Sequence, residues 1–564
     1  MSLTLSRTSS TSPAGRIAAP SASARATTPD SLAVPGIVLG LFLSLVIAGT
    51  LFGGRAVAFG SIPILVLATL YFASKNTSLA IGIFTAYSAM EGMYKYLSYF
   101  SKAVYVVKPL LILAIAAIWA FRVRHKHLRT STPPLGWAAG LLIAWGFVTI
   151  FNPTGSSIFS SVATYVVWYL TPALLFFLAY NEARSVEKLA VLAYILVAIC
   201  AVVSILACVQ YAMGQAWTDS HLPGYENVNQ GEWWITNEKG SVLSTQWRPA
   251  STAAMGGGGG LWSQRGIAVA VAMLLAGRLS TRMKWAMAAC LLINIVGTIV
   301  SGCRLYLIVA LIEVILLVVI LPRSMKEWSR NVGAFLLFAI LATAGTLIAN
   351  NITGGTIVDR YSATLADPVG KYTHDRGSLT WRADMMLQVL HGYPFGIGYQ
   401  RGLDGGRQSD QSGPIGINRD DEFNCLAGDM GIPGLIILCC LTIGMIAVSW
   451  RSFASAKELP LRALAGIGYA LTIGNLIQFL GGPVLQGNDQ FWITAGLLFA
   501  TPMIVRRAAA PADSYRRMGV PPVSESSIVG KEGQGSAYEN SSPSRFGRGA
   551  EERGGVGSEL EATA

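Results

Sequence analysis

Apolar runs of bilayer-crossing length, separated mostly by short polar stretches, set the pattern of this chain. A helix needs about 20 apolar residues to span the hydrocarbon core. Runs near that length fall at about 33–52, 56–74, 78–93, 103–121, 134–152, 160–180, 187–213, 262–278, 284–302, 304–322, 332–350, 431–450, 461–480 and 489–506. The pattern predicts an all-α polytopic membrane protein with about 14 transmembrane helices, the third being the least apolar. Basic residues test that count. Arg122 to Lys126, Arg184 with Lys188, Arg278 to Lys284, Arg323 to Arg330, Arg451 to Arg462 and Arg506-Arg507 fall in alternate loops, and the positive-inside bias puts them in the cytoplasm. Both termini are then cytoplasmic, and two long polar stretches face outward.

The chain divides accordingly into a cytoplasmic arm (1–32), an N-terminal helical bundle (33–213), a first outward loop (214–261), central helices (262–350), a second outward loop (351–430), C-terminal helices (431–506) and a cytoplasmic tail (507–564). The arm is rich in Ser, Ala and Thr with Arg7, Arg16 and Arg25. A transit peptide shares that composition, but the segment lacks apolar periodicity and reads as disordered, with no cleavable signal before the first span. The tail is rich in Gly, Ser, Pro and charge and lacks the bulky apolar residues a core needs.

Composition narrows the class. Of 564 residues, 52% are hydrophobic and 13% charged, and the mean hydropathy is +0.49. A soluble domain carries about 25% charged residues, so that class is excluded. The net charge of +12 is spread over loops between spans rather than gathered in one patch, which points to membrane topology and not to nucleic acid. Seven cysteines show no C-x-x-C or Cys/His spacing, so neither a disulfide framework nor a zinc site is indicated.

Charges inside the spans are scarce. Glu313 lies mid-span and Lys108 in the outer part of its span; each is costly unless paired or facing a cavity. They read either as structural partners or as marks of an ion or proton path. Arg304 opens its helix at the outer face, where it either snorkels or holds an anionic headgroup or diphosphate.

The first outward loop carries Trp217, Tyr225, Trp233, Trp234 and Trp247, with Arg248 among them and Gly256 to Gly260 closing it. The aromatics are interfacial anchors or, at Trp233-Trp234, a platform on which sugar rings stack. The glycine run has no following Lys-Ser/Thr and reads as a flexible linker rather than a phosphate cradle. The second loop is too charged to lie in hydrocarbon. Leu379, Ala383, Met386, Leu387 and Leu390 recur at helical spacing, with Arg382 on the apolar side. That helix stops at Gly392-Tyr393-Pro394. Asp420-Asp421-Glu422 then offers either a helix cap or a general base beside cations.

These features, in this order, resemble the O-antigen polymerase and O-antigen ligase superfamily of bacterial envelope proteins. The resemblance rests on Ser301-Gly302-Cys303-Arg304 at a span junction, Arg376 and Trp381 around a helix, the turn Pro394-Phe395-Gly396-Ile397-Gly398, and Asp420-Asp421 followed by Gly431-Ile432-Pro433-Gly434. It covers roughly residues 240–450. Ligases of the family carry a His where this chain has Asp420, and that departure favours the polymerase-like members.

The resemblance implies a multi-pass protein of the bacterial cytoplasmic membrane. Its reaction would be glycosyl transfer from an undecaprenyl-diphosphate-linked glycan to a sugar hydroxyl at the outer face, for exopolysaccharide, capsule or O-antigen. Such a step needs a base, cations for the departing diphosphate and a lipid-accessible groove. Asp420, Asp421 or Glu422 would supply the base; Arg376, Arg382, Arg304 and Arg248 would hold the diphosphate; Trp233, Trp234 and Trp381 would contact sugar. Fixed cations would replace a metal, so no cofactor is expected. A flippase and a chain-length regulator of the same pathway are the expected partners. The rival classes are a transporter or lipid-linked glycan flippase working through Glu313 and Lys108, and a membrane scaffold whose outward loop binds a partner.

Overall fold

The fold is taken from a computed structural model and is described for residues 55–98, 101–127, 130–155, 157–183, 185–222, 233–236, 242–253, 257–276, 279–322, 324–355, 361, 379–399, 421–482 and 484–509. Each apolar run from 56–74 onward is a helix; the run at 33–52 lies outside the described residues. In chain order the helices are α1 (Arg55–Lys75), α2 (Thr77–Leu97), α3 (Lys102–His125), α4 (Gly136–Thr149), α5 (Ile158–Tyr165), joined by the π-turn Val166–Leu170 to α6 (Thr171–Glu182), and α7 (Val186–Met213). Then come α8 (Gln215–His221), the strands β1 (Trp233–Thr236) and β2 (Val242–Gln246), α9 (Gly259–Leu275), α10 (Thr281–Val300), α11 (Arg304–Ile320) and α12 (Met325–Thr353). The chain ends with α13 (Leu379–Gly392), α14 (Glu422–Ser455), α15 (Leu459–Gln478), α16 (Asp489–Phe499) and α17 (Thr501–Ala509).

Among the described residues, six helices are long and apolar enough to cross a membrane: Val104–His125, Ile158–Glu182, Val186–Met213, Thr281–Val300, Glu327–Thr353 and Glu422–Ser455. Their outer faces are apolar. On α12, Leu336, Ile340 and Leu347 are exposed, and on α14 so are Ile436 and Ile443. Spacings of four and seven put each set on one stripe of its helix, an arrangement that hydrocarbon favours and water does not. The protein is a multi-pass membrane protein.

The least apolar run makes a helix that is largely enclosed by protein. α2 carries Ser, Thr, Tyr, Glu91 and Lys95, yet Phe84, Tyr87, Met90, Met93 and Tyr94 are all buried. It packs against α1, α3 and α7, so its polar groups meet protein partners rather than lipid.

The first polar stretch returns to the core. β1 and β2 form an antiparallel hairpin pairing Trp233 with Gln246. After it, Arg248, Ala250, Ser251 and Thr252 are buried without helical structure. Backbone groups at that depth need partners, and those of Ser251 and the Thr252 carbonyl have them in neighbouring helices. Ser251 N–H donates to Gln210 Oε1 at 2.7 Å, Gln210 Nε2 donates to Ser251 O at 3.0 Å, and Met93 N–H donates to Thr252 O at 3.1 Å. The linker expectation for the glycine run is corrected here. Gly259 and Gly260 open α9, and a Cβ at Gly259 would lie 2.6 Å from Ser251 Cβ. These glycines allow helix and inserted segment to approach closely.

The second polar stretch also ends earlier than its charge pattern implies. α14 starts at Glu422 and buries Asn424 to Gly431 before the predicted span begins. It breaks at Gly431, where φ is +64°. The turn 394–398 fills the break: Ile397 N–H donates to Gly428 O at 2.6 Å and Ile432 N–H to Pro394 O at 2.8 Å, while Trp145 Nε1 donates to Met430 O at 3.0 Å. Gly396 has φ +83°, and a Cβ there would lie 2.7 Å from Asp429 O. Tyr399 OH then donates to Gly146 O at 2.8 Å. Burial, with Asp429 and Tyr165 adding to it, pushes the Tyr399 phenol far above its usual range, so it stays a donor.

Candidate functional site

Two acidic residues open α14, and both are occupied. Asp421 is the N-cap: its Oδ1 accepts from Asn424 N–H at 2.8 Å and its Oδ2 from Asn424 Nδ2 at 2.8 Å. Glu422 follows and is fully buried. Its Oε2 accepts the backbone N–H groups of Val484 at 2.5 Å and Leu485 at 2.7 Å. The capping reading of this acidic run therefore holds for Asp421, and Glu422 pins the 484–490 segment to the helix start.

Arg382 joins them from α13. Its Nη1 donates to Leu480 O at 2.6 Å and lies 3.8 Å from Asp421 Oδ2. Its own carbonyl accepts from Asn424 Nδ2 at 3.1 Å. The guanidinium is thus fixed between the end of α15 and the cap of α14, with about a fifth of its side chain exposed.

Two more of the sequence candidates sit on adjoining turns. Gly481 follows the Leu480 carbonyl that holds Arg382, and a Cβ on it would lie 3.6 Å from Leu305 Cγ, so the start of α11, with Arg304, packs beside that turn. Arg248 lies on the other side. Cβ atoms at Gly302 and Gly257 would come within 3.5 Å of its Nε and 3.4 Å of its Cδ, respectively. Both glycines have positive φ, which allows the two turns to close on the arginine stem. Arg248, Arg304 and Arg382 therefore occupy neighbouring turns at the end of the bundle where α14 begins.

Trp381 is half-buried on α13, next to Arg382. Trp233 and Trp234 lie on β1. Arg376 and Asp420 lie outside the described residues.

Lys108 and Glu313 are not partners of each other, which corrects the reading of the two as a structural pair. Lys108 Nζ pairs with Asp489 at 2.6 Å and Glu91 at 3.3 Å, Glu91 also pairs with Lys95 at 2.8 Å, and Ser88 Oγ donates to Asp489 Oδ2 at 3.0 Å. Glu313 instead accepts from Gln264.

A centre that sequence reasoning missed lies beside this pair. Arg265, on α9, is buried and donates to Asn475 Oδ1 at 3.0 Å, Asn488 Oδ1 at 3.2 Å and Gln490 Oε1 at 3.2 Å. The segment Val484 to Gln490 thus gathers Glu422, Lys108 and Arg265 from three different helices. Arg265 stands near the start of an apolar run, where a charge reads as a flank, and the amides that hold it are separated from it by more than 200 residues. The faint signal was the polar sequence Gln486-Gly487-Asn488-Asp489-Gln490 abutting the last span.

Chemically, the cluster offers neighbouring guanidinium groups, that of Arg382 fixed by the Leu480 carbonyl beside Asp421, suited to oxyanions. No family model matches the chain, and no curated protein matches it.

Proposed function

We propose that this chain is a glycosyltransferase of the O-antigen polymerase and ligase type, joining undecaprenyl-diphosphate-linked repeat units at the outer face of the bacterial cytoplasmic membrane. The observation that carries the reading is the gathering of Arg248, Arg304 and Arg382 on adjoining turns beside Asp421 and Glu422. Rigid guanidinium groups at the edge of a membrane bundle suit a diphosphate leaving group on a lipid, because their forked donors match phosphate oxygens and carry charge at any working pH. The finer arrangement belongs to the same proposal: about 14 spans, both termini cytoplasmic, and outward loops over 214–261 and 351–430.

In this scheme the arginines hold the diphosphate, with Arg376 added from the second loop. Trp233, Trp234 and Trp381 stack on sugar. Asp421 and Glu422 are spent on the helix cap and on backbone N–H groups, so they position the site, and Asp420 takes the role of base toward the acceptor hydroxyl. Transfer to an acceptor other than a growing glycan, as in ligases, uses the same machinery.

The test is the lipid-linked glycan profile of cells whose own copy is deleted, complemented with wild type, Arg382→Ala or Asp420→Asn at matched membrane abundance. Single repeat units accumulating on their lipid at the outer face, and not cleared by either variant, are expected. Intermediates on the cytoplasmic face would point instead to transport, and variants that behave as wild type would remove the loop as reaction centre.

A further inference from the structure

Glu313 lies in the middle of α11 and is wholly buried. Its Oε2 accepts from Gln264 Nε2 of α9 at 2.5 Å, and Gln264 Oε1 accepts from Gln478 Nε2 of α15 at 2.8 Å. Gln264 and Gln478 are buried as well. The chain of three side chains runs one way only. Turning either amide over would set oxygen against oxygen at a junction, since a carboxylate only accepts and each amide has one accepting and one donating end. It therefore ends on acceptors at both ends, and among the described residues Glu313 Oε1 and Gln478 Oε1 are buried without a hydrogen-bond donor.

Two unmet acceptors on side chains meeting at one amide, one of them an anion, are costly inside a membrane. The surrounding charges do not remove the deficit. Arg265, next along α9, is near enough to act on Glu313 electrostatically, but its hydrogen bonds go to Asn475, Asn488 and Gln490, and no ion pair joins it to Glu313 among the described residues. On α15, Arg462 sits at the far end of α11 on the carbonyls of Ile320 and Leu321. On α10, Arg282 and Lys284 are exposed at the helix start. On α12, Glu327 is in the first turn, also away from Glu313. On the α15 side Glu313 Oε1 packs directly on Gly474, where a Cβ would collide with it, so only a glycine there admits the carboxylate.

We propose that Glu313, Gln264 and Gln478 form an intramembrane site for a monovalent cation, a proton or a sodium ion, bound between α9, α11 and α15. Either ion supplies what the cluster lacks. A proton turns the carboxylate into a donor, and sodium takes the oxygens as ligands. The site is separate from the arginine cluster and stands whether or not that cluster transfers sugar. α15 nonetheless links the two, because the carbonyls just past Gln478 hold Glu422 N–H and Arg382.

The experiment is thermal unfolding of the full-length protein in lipid nanodiscs. One arm titrates sodium chloride against N-methylglucamine chloride at fixed pH and ionic strength. The other lowers pH without sodium. A ligand held by the native state alone raises the unfolding midpoint with its concentration. Wild type is expected to gain several degrees in at least one arm, and the responding arm identifies the ion. Glu313→Gln is expected to lose that response while unfolding no lower than cation-free wild type, because a neutral amide no longer needs a counter-charge. Gln478→Leu should weaken the response, and the exposed Glu458→Gln should keep it. A wild type indifferent in both arms, or a Glu313→Gln variant that responds as wild type does, overturns the proposal.

Discussion

Asp421 and Glu422 are neighbours with different work, and the difference is measurable. Asp421 satisfies an N-terminal donor of α14, so Asp421→Ala is expected to cost about 0.5–2 kcal/mol. Glu422 is buried and accepts two backbone N–H groups from another segment. Glu422→Leu leaves both of those N–H groups buried without their acceptor, with an expected cost of about 1.5–3 kcal/mol. Unfolding midpoints of the purified variants in one detergent would rank them, and an Asp421→Ala defect larger than that of Glu422→Leu would reverse the assignment. The acidic run was visible in the sequence as cap or base. Which residue caps was decided by where Val484 and Leu485 come to lie, and that is not a local property.

At the scale of elements, the junction of the 394–398 turn with the break in α14 is what brings the second polar stretch down onto the bundle. Gly431 needs a left-handed backbone, and its missing side chain admits the Pro394 carbonyl. Gly431→Ala is therefore expected to destabilise by more than about 1 kcal/mol, and to speed proteolytic cleavage between α13 and α14. Gly140→Ala, in a helix with open space around it, serves as the control and should be neutral or slightly stabilising. Equal effects of the two would show that the junction is not specific. The sequence showed the 394–398 motif as a turn and the 431–434 motif as the opening of a span; that the first fills a break at the second could not be read from either.

Across the bundle, the buried charges Glu422, Arg265 and Lys108 meet at the 484–490 segment, with Lys108 bridging Asp489 and Glu91 from α3 to α16 and α2. Removing one member of a buried ion cluster leaves the others uncompensated, so Lys108→Met is expected to cost about 3–5 kcal/mol. Adding Asp489→Asn should recover part of that loss, because the uncompensated negative charge is reduced. A double-mutant cycle of unfolding midpoints reads the coupling, and strict additivity would show the pair to be independent. The same organisation explains why α2, the weakest of the apolar runs, lies inside: its Glu91 and Lys95 serve the cluster, whereas the most apolar stripes of α12 and α14 face outward.

What the sequence by itself determined is the membrane class and the helices at the apolar runs from α1 onward, because hydropathy over about 20 residues is a local property. The tertiary structure alone decided which charges meet: Lys108 with Asp489, Glu313 with Gln264, Arg265 with three amides, and Arg382 with the end of α15. A buried charge is fixed by whichever distant group comes close enough to repay its desolvation, and that choice is made by helix packing rather than by spacing along the chain.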